Sequence, residues 1–400
     1  MIVKFRNIPN KRFNYGYDSG LWIESKNGNY RTTMTGLLQL QYSFTDSDDE
    51  AADSKFEVRR LRLKWDGHLV RPWLHYVLQI SADNQFDNSA DTSFEGFKLK
   101  DLYVDLAYNT KYVPRIGEYK VPFNRDALSS GKSLLLIERS TVSNEFTWGR
   151  DRGLGLYGQI GSKITYGAAI TSGNGVSGLQ DTNLDIDQLL YSGRIQYQPC
   201  CGKLEFSNAS FPAGGDFVFK PRARLTTTPT YAVGAAMVMY PNLNIGDKKP
   251  DNNIDQRFDE LGITKADVFS MSADFAYEYY RYTFETEFDI RFINPDQGSS
   301  GTSIDYGFTV QGGYYFLPPY IQIAGLFSYL KLDTDKDVLE NSRDSSIELM
   351  TGLNFYLPKI NRLTEYTDWR LQISYTFNRL KDINDEEGVN IFRIQLQTTF

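Results

Sequence analysis

The sequence lacks any long apolar stretch. No run of about 18 apolar residues occurs in the chain, so a membrane-spanning helix is excluded. Linkers rich in Pro, Ser or Gln are also missing from its 400 residues, and one pattern of strand and turn continues almost to the C-terminus. A soluble chain of this length would usually divide into several domains. The sequence therefore predicts one large domain.

Histidine and cysteine are scarce. His68 and His75 are the only histidines, and neither lies in a pattern that predicts a catalytic triad. Cys200 and Cys201 are adjacent, and two neighbours cannot supply a disulfide framework or a zinc site. A vicinal disulfide and two idle thiols in a turn are the alternatives for this pair. We expect no enzyme, cofactor or metal site, with a lipase or protease barrel as the minor alternative.

Net charge and aromatic content narrow the class. The formal net charge is -7, which gives no indication of nucleic acid as a partner. The chain has 27 Tyr and 26 Phe, an excess typical of proteins whose rings flank a lipid-facing band. An aromatic-rich soluble β protein, such as a lectin or glycosidase, is the alternative at this point.

Apolar and polar residues alternate along many segments. From Trp369 to Phe377 every second residue is apolar, and Arg370 and Gln372 are among the polar residues between them. A period of two points successive side chains to opposite faces of a sheet. The segments run about 10 to 13 residues, longer than usual soluble strands and suited to crossing a bilayer at a tilt.

The connections alternate in length as well. Short turns are predicted near 70–72, 109–111, 161–163 and 317–319. Long polar loops are predicted near 45–55, 84–97, 121–151, 172–187, 293–303, 332–344 and 380–389. Short turns at one end and long loops at the other are typical of a transmembrane antiparallel β-barrel, with the turns periplasmic and the loops extracellular.

The all-β pattern predicts about 16 strands. They are expected near 31–44, 56–69, 73–83, 98–109, 112–120, 153–160, 163–171, 188–198, 203–211, 268–279, 281–292, 304–316, 320–331, 345–357, 367–379 and 390–400. The region 212–267 is the least regular, and Thr230 to Tyr240 also alternates, so 18 strands are possible. A barrel of either size leaves an aqueous channel.

The N-terminal residues contain no apolar core of signal-peptide length. We expect that a signal was removed, since a barrel must first cross the inner membrane; an untargeted protein is the alternative. Residues 1–30 are predicted to be a periplasmic extension, and 31–400 a single barrel.

Several short segments resemble the phosphate-selective porin O and P family. They are Phe56–Arg60, Arg115–Phe123, Ile137–Arg139, Thr351–Leu357 and Arg393–Leu396, with Phe400 at the end. Each is unspecific alone, and their order and spacing carry the resemblance along most of the chain.

The resemblance implies an outer-membrane homotrimer of bacterial porins, surrounded by lipid and lipopolysaccharide. It implies passive diffusion of small hydrophilic solutes, with a preference for anions such as phosphate, and a third extracellular loop folded into the lumen. Arg59 and Arg60 match the family's paired arginines, and Lys132, beside Ser129 and Ser130, matches its loop lysine. Arg222, in the segment Lys220–Arg222, looks like the basic element of the fifth loop. Leu37 departs from the pattern, because phosphate-specific members carry an arginine there.

The second strand predicts a basic face in the lumen. Arg60, Arg62 and Lys64 alternate with the apolar residues Leu61, Leu63 and Trp65. Before Arg59, the apolar residues Phe56 and Val58 instead occupy even positions, as Arg60 does. The apolar face therefore switches, and a β-bulge is expected near Arg59. Charges facing lipid would cost about 2–4 kcal/mol each near the midplane. These groups therefore face water in the lumen. They form either a row of basic side chains that attracts anions or ordinary wall charges balanced by acids.

The loop at 121–151 is the predicted constriction. A loop of this length within a compact fold is usually functional, and it contains Lys132 and Arg139 among nearly balanced charges. Rings of charge select ions in a narrow pore, and a guanidinium suits phosphate through its planar fork of donors. The alternative is a loop resting over the mouth.

Two other functions remain open. A weakly selective general diffusion porin is suggested by Leu37 and by the predicted inward acids Glu285, Glu287 and Asp289. The other is a plugged barrel with a structural or partner-binding role.

Overall fold

The computed structural model describes residues 3–4, 13–17, 20–82, 98–173, 188–199, 228–245, 253–296, 301–334, 342–357 and 368–400. Within these ranges the strands are β1 Val3–Lys4, β2 Phe13–Tyr17, β3 Leu21–Ser25, β4 Arg31–Ser47, β5 Asp53–His68, β6 Leu74–Ser81, β7 Lys98–Leu106, β8 Val113–Lys120, β9 Arg150–Ile160, β10 Ile164–Thr171, β11 Leu190–Tyr197, β12 Thr230–Asn244, β13 Lys265–Tyr279, β14 Tyr282–Pro295, β15 Ser303–Leu317, β16 Ile321–Lys331, β17 Arg343–Tyr356, β18 Asp368–Asp382 and β19 Glu386–Thr399. The helices are α1 Arg125–Leu128, α2 Thr141–Phe146 and α3 Asn253–Glu260. No helix in the described ranges has the length and apolar character needed to cross a membrane.

The strands from β4 to β19 form a closed barrel of 16 antiparallel strands. Each pairs with the next along the chain, and β19 pairs back with β4, with Leu396 opposite Leu40. Three further described strands, β1, β2 and β3, lie outside the ring: β1 pairs with β2, β2 with β3, and β3 with β4 at Leu21 opposite Met34. Closure satisfies the backbone hydrogen bonds of every wall strand, as a membrane barrel requires. The predicted fold class is confirmed.

One predicted strand differs from the observed wall. The segment 203–211 lies outside the described residues, as do Cys200 and Cys201, and the wall strand after β11 is β12. It pairs with β11 at Met239 opposite Tyr191 and with β13 along most of its length. Because β11 and β12 are direct neighbours in a closed ring, the alternative of 18 strands is wrong.

The two ends of the barrel differ in their connections. The connections 161–163, 280–281 and 318–320 lie at one end, whereas the loops 82–97 and 121–149 lie at the other. Arg222 lies outside the described residues, in the connection from β11 to β12. That connection leaves from the short-turn end, because Tyr197 at the end of β11 pairs with Ile164 beside the turn at 161–163. The fifth connection at the opposite end is 245–264, and the predicted role of Arg222 stays a prediction.

The two faces of the wall are inverted relative to a soluble protein. Outward-facing Phe288 and Phe308 are 44% and 36% exposed, whereas inward-facing Asp289 and Asp305 are fully buried. Apolar residues outside and polar residues inside are what a barrel in lipid requires. The protein therefore spans a lipid bilayer, with its polar face toward the lumen.

Part of the lumen is packed with apolar side chains. Val142 and Phe146 of α2, Phe258 of α3, and Val238 and Val268 of the wall belong to one buried cluster. Burial of such side chains stabilises by about 1.5–3 kcal/mol each. The sector next to β12–β14 is therefore filled by apolar side chains from the two helices and the wall.

Candidate functional site

The connection between β8 and β9, residues 121–149, lies inside the barrel and is called the constriction loop below. Both of its short helices begin at a wall carboxylate. Glu287 of β14 accepts the backbone N–H of Arg125 at 2.5 Å, and Glu348 of β17 accepts that of Thr141 at 2.9 Å. A carboxylate satisfies the free N–H groups of a helix start and complements the charge there. The predicted boundary at 151 moves to 149, since β9 begins at Arg150.

Ion pairs hold the far end of the constriction loop. Glu145 pairs at 2.8 Å with Arg291 of β14 and at 2.8 Å with Arg343 of β17. Arg291 also pairs with Asp305 at 2.7 Å. Both Glu145 and Arg291 are buried, and each has a second charged partner, Arg343 for Glu145 and Asp305 for Arg291.

The middle of the constriction loop is held through its backbone. Arg370 of β18 donates to the carbonyl of Leu134 at 2.8 Å, and Asn354 of β17 donates to that of Leu135 at 2.9 Å. On the opposite side, Arg194 of β11 donates to the carbonyl of Phe123 at 2.9 Å. The loop therefore crosses the lumen and contacts widely separated parts of the wall.

A bulge in β5 directs two adjacent arginines inward. In the ladder with β4, Gln39 pairs with Arg60 and Leu40 pairs with Val58, which leaves Arg59 as the extra residue. The predicted β-bulge is confirmed. Since a bulge places two residues opposite one, Arg59 and Arg60 both reach the lumen.

Arg59 and Arg60 converge on Glu138 of the constriction loop. Arg59 Nε and Nη2 donate to the two carboxylate oxygens at 2.6 and 3.0 Å, and Arg60 Nη2 lies 3.3 Å from Oε2. Burial opposes ionisation of Glu138, but the hydrogen bonds from Arg59 and the charges of both arginines lower its pKa to about 2. Glu138 is therefore a carboxylate at neutral pH, and the predicted arginine pair is partly neutralised.

The other predicted basic residues retain more exposure. Lys132 is exposed, and Arg62 and Arg139 are half-buried. Lys64 lies 3.5 Å from Asp66. Burial, opposed by Asp126 and assisted by the nearby charge of Arg62, lowers the pKa of Arg139. The wall strand β5 and the constriction loop thus bring their positive charges close together.

The predicted serines have mainly structural contacts. The Ser129 hydroxyl is buried and donates to the carbonyl of Arg125 at 3.0 Å, and Arg139 donates to the carbonyls of Asp126 and Ser129 at 2.9 and 2.5 Å. Ser130 is half-buried. The Ser129–Ser130 segment ends α1 and is positioned by Arg139.

Sequence reasoning missed Lys120 and the partner of Arg150, both next to the constriction loop. Lys120 Nζ donates to the carbonyls of Ala127, Leu128 and Ser129 at 2.7, 2.9 and 3.0 Å. Arg150 pairs with Asp101 of β7 at 3.1 Å. Of these residues, only Asp101 has a local signal in the sequence. Leu99 and Leu102 lie three positions apart and break the alternation of apolar and polar residues, as a second β-bulge, in β7, requires.

Acidic residues line the opposite wall, as predicted for Glu285, Glu287 and Asp289. The constriction loop covers them: Glu287 and Asp289 are buried. Asp274 lies 2.7 Å from Arg194 and 3.5 Å from Arg125. Glu287 therefore holds the constriction loop, and Asp274 holds Arg194 of β11 and Arg125 of the loop in place.

A comparison with protein families identifies the chain. Residues 33–268 match the family described as phosphate-selective porin O and P. The match covers more than half of the chain. This protein belongs to the phosphate-selective porin O and P family.

Solved structures with the same fold are also porins and outer-membrane channels. The anion-selective porin from Comamonas acidovorans is 12% identical, with 92% of this chain and 99% of that chain covered and a TM-score of 0.54. The outer membrane channel DcaP of Acinetobacter baumannii is 10% identical, with 94% and 99% covered and a TM-score of 0.55. OmpT of Vibrio cholerae, in a trimer form, is 9% identical, with 92% and 99% covered and a TM-score of 0.52. At these identities the likeness shows the fold alone.

No curated protein matches the sequence significantly. The family and the fold together make the porin a diffusion channel of the outer membrane. They point to a channel rather than an enzyme.

Proposed function

We propose that this porin mediates passive diffusion of small hydrophilic solutes with a preference for anions such as phosphate. One observation supports the preference: exposed and half-buried lumen charges include Arg62, Lys132 and Arg139, whereas Glu287 and Asp289 are buried under the constriction loop. A passing solute meets the accessible charges first. In a narrow, partly desolvated passage their field raises the local concentration of anions.

Reversal potentials in asymmetric KCl test the preference. The wild-type channel is expected to prefer chloride, and Arg139→Glu should shift the reversal potential toward cation preference. Arg379→Glu is a matched charge reversal on the outward face, where Arg379 is 57% exposed and pairs with Glu386; it should leave the potential unchanged. Cation preference in the wild type would contradict the proposal.

The narrower preference for phosphate is tested by competition. Leu37, where phosphate-specific members carry arginine, lies opposite Arg62 in the ladder between β4 and β5, so this site offers one guanidinium fewer. Millimolar phosphate should still reduce the chloride current. An unaltered current would reject the preference for phosphate while leaving that for anions in general.

A weakly selective general porin is the second candidate. It is favoured by Leu37 and by the neutralisation of Arg59 and Arg60 by Glu138. In that case Arg60→Glu or Lys132→Glu would barely alter the reversal potential. The third candidate, a plugged structural barrel, is favoured by the apolar cluster in the lumen and would show no conductance.

We infer that the protein assembles as a homotrimer in contact with lipid and lipopolysaccharide. The Vibrio cholerae protein described as a trimer form supports this assembly. The outer face of β7–β9 carries exposed aliphatic residues, Leu102, Ile116 and Leu154, and is a suitable contact between copies. Light scattering of the detergent-solubilised protein tests the inference, and a monomeric mass would contradict it.

A further inference from the structure

We propose that Gly307 of β15 and Gly352 of β17 are positioning residues that set the width of the channel. Because neither has a side chain, the constriction loop lies directly against the wall at these two points, and the passage on the other side of the loop stays correspondingly wide. The proposal rests on the proposed diffusion through the lumen and names two wall residues that act on it through the loop.

Gly307 lies beneath helix α2. It is buried on the inward face of β15, two positions after Asp305. A Cβ at this position would lie 2.8 and 2.9 Å from Cγ2 and Cγ1 of Val142. Val142 is fully buried, and a valine in a helix is restricted at χ1, so its γ carbons cannot turn away. Because carbon atoms pack best about 3.5–4.0 Å apart, a methyl group here would displace α2 by roughly 1 Å.

Gly352 has the same relation to the middle of the constriction loop. It lies on the inward face of β17, and a Cβ there would lie 2.8 Å from Cδ2 of Leu136. Leu136 is 2% exposed and packs in a buried apolar cluster with residues of β16 and β17. The δ carbons of a leucine have more rotameric freedom than the γ carbons of a helical valine. A methyl group at Gly352 should therefore displace the loop less than one at Gly307.

Polar contacts beside both glycines depend on this close approach. Thr309, the next inward residue on β15, donates to the Ser140 hydroxyl at 3.0 Å. Asn354, the next inward residue on β17, donates to the carbonyl of Leu135 at 2.9 Å. Hydrogen bonds of this kind extend to about 3.2 Å between donor and acceptor, so a displacement of roughly 1 Å would break them. The loop segment around each glycine would then move away from the wall.

Movement away from the wall narrows the passage. Lys132 and Arg139 of the same loop remain exposed and half-buried, so the side of the loop away from the wall borders the water of the lumen. Conductance depends on the diameter of the narrowest section, whereas ion preference depends on the charges that line it. Neither glycine carries a charge. A displaced loop should therefore lower the conductance without reversing the ion preference.

The test is single-channel conductance in planar bilayers with symmetric KCl. Gly307→Ala should lower the conductance and Gly307→Val should lower it further, while the reversal potential in asymmetric KCl keeps the sign of the wild type. Gly352→Ala should give a smaller loss of conductance. Unchanged conductance in both Gly307 variants would overturn the proposal.

Second-site variants show whether the loss arises from the assigned contacts. Val142→Ala removes both γ carbons and should restore the conductance of Gly307→Ala. It should not restore that of Gly352→Ala, which Leu136→Ala should restore instead. If Val142→Ala failed to restore Gly307→Ala, or restored both glycine variants equally, the proposal would be overturned.

Gly312→Ala is the matched control. Gly312 lies on β15 as well but faces lipid, and a Cβ there would lie 3.2 Å from the carbonyl oxygen of Thr283, with no atom of the constriction loop within 4 Å among the described residues. A Cβ at Gly307 would also lie 3.0 Å from the carbonyl oxygen of Tyr329, so the control reproduces crowding within the wall alone. Its conductance should equal that of the wild type, and a loss as large as that of Gly307→Ala would overturn the proposal. Heat-modifiable mobility on gels checks the folding of every variant.

The outcome is separable from that of the proposed function. A cation-preferring wild type that loses conductance in Gly307→Ala would contradict the anion preference and support the positioning role. An anion-preferring wild type that keeps its conductance in both Gly307 variants would support the preference and reject the role. A wild type without conductance would reject both.

Discussion

The effect of each lumen charge depends on the partner it meets. Arg59 and Arg60 share Glu138, whereas Lys132 remains exposed and Arg62 half-buried. The field along the passage is therefore set less by the number of basic residues than by which of them the constriction loop neutralises.

Titration of Glu138 gives a prediction about pH. Its pKa is lowered to about 2, so its ion pair is fully formed above the ordinary range of a glutamate and is lost only as the pH falls through about 2. The difference in reversal potential between wild type and Glu138→Gln should stay constant from neutral pH to about pH 4. A difference that vanishes near the ordinary glutamate range would show that Arg59 does not hold the carboxylate.

The direction of single residues was predictable, but their long-range partners were not. Parity alone placed Arg60, Arg62 and Lys64 in the lumen and located the bulge at Arg59, because a charge on the lipid face is costly. The contact of Arg59 with Glu138 joins positions 79 apart, and no local pattern specifies such a pair.

Among the secondary-structure elements, β5 shows how one extra residue changes a wall. The strand keeps apolar residues outside on both sides of the bulge because Arg59 is the extra residue at which the register of the ladder shifts. The apolar side chains therefore stay on the outward face, although Val58 has an even and Leu61 an odd position in the sequence.

Deletion of Arg59 should be tolerated by the fold. It would restore regular pairing with Val58 outward and Arg60 inward, and the barrel should still show heat-modifiable mobility on gels. Deletion of Leu61 is the control: regular pairing would then turn Arg60 toward lipid, at about 2–4 kcal/mol near the midplane. Equal yields of folded barrel from the two deletions would contradict the assignment of the bulge.

Strands were easier to predict than the helices of the constriction loop. A period of two over ten residues identifies a wall strand, although it did not decide between 203–211 and Thr230–Tyr240. Helices α1 and α2 have 4 and 6 residues, too short to be stable alone. They form because Glu287 and Glu348 satisfy their first N–H groups, which is a tertiary effect.

At the scale of the whole molecule, the barrel is lined unevenly. The sector beside β12–β14 is packed with apolar side chains from α2 and α3, while Arg62 and Lys64 on β5 keep access to water. The apolar filling of the lumen therefore lies on the side of β12–β14, away from Arg62 and Lys64.

The inverted arrangement of the faces predicts opposite effects for two substitutions in β15. Phe308→Arg puts a charge into lipid near the middle of the strand and should reduce the free energy of unfolding by about 2–4 kcal/mol. Gln311→Arg faces the lumen, where Gln311 already donates to Glu285 at 2.9 Å, and should be nearly neutral. Urea unfolding from lipid vesicles measures both, and equal destabilisation would contradict the assigned faces.

Folding of the constriction loop into the lumen also determines what the cell surface displays. Residues 121–149 form a long connection on the outer side of the membrane, yet Val142, Phe146 and Ile137 are buried. Little of this segment is therefore accessible for binding by an antibody or a bacteriophage, or for cleavage by an added protease. Peptide tags meant for display on living cells belong in other connections, because an insertion here would have to fit inside the pore.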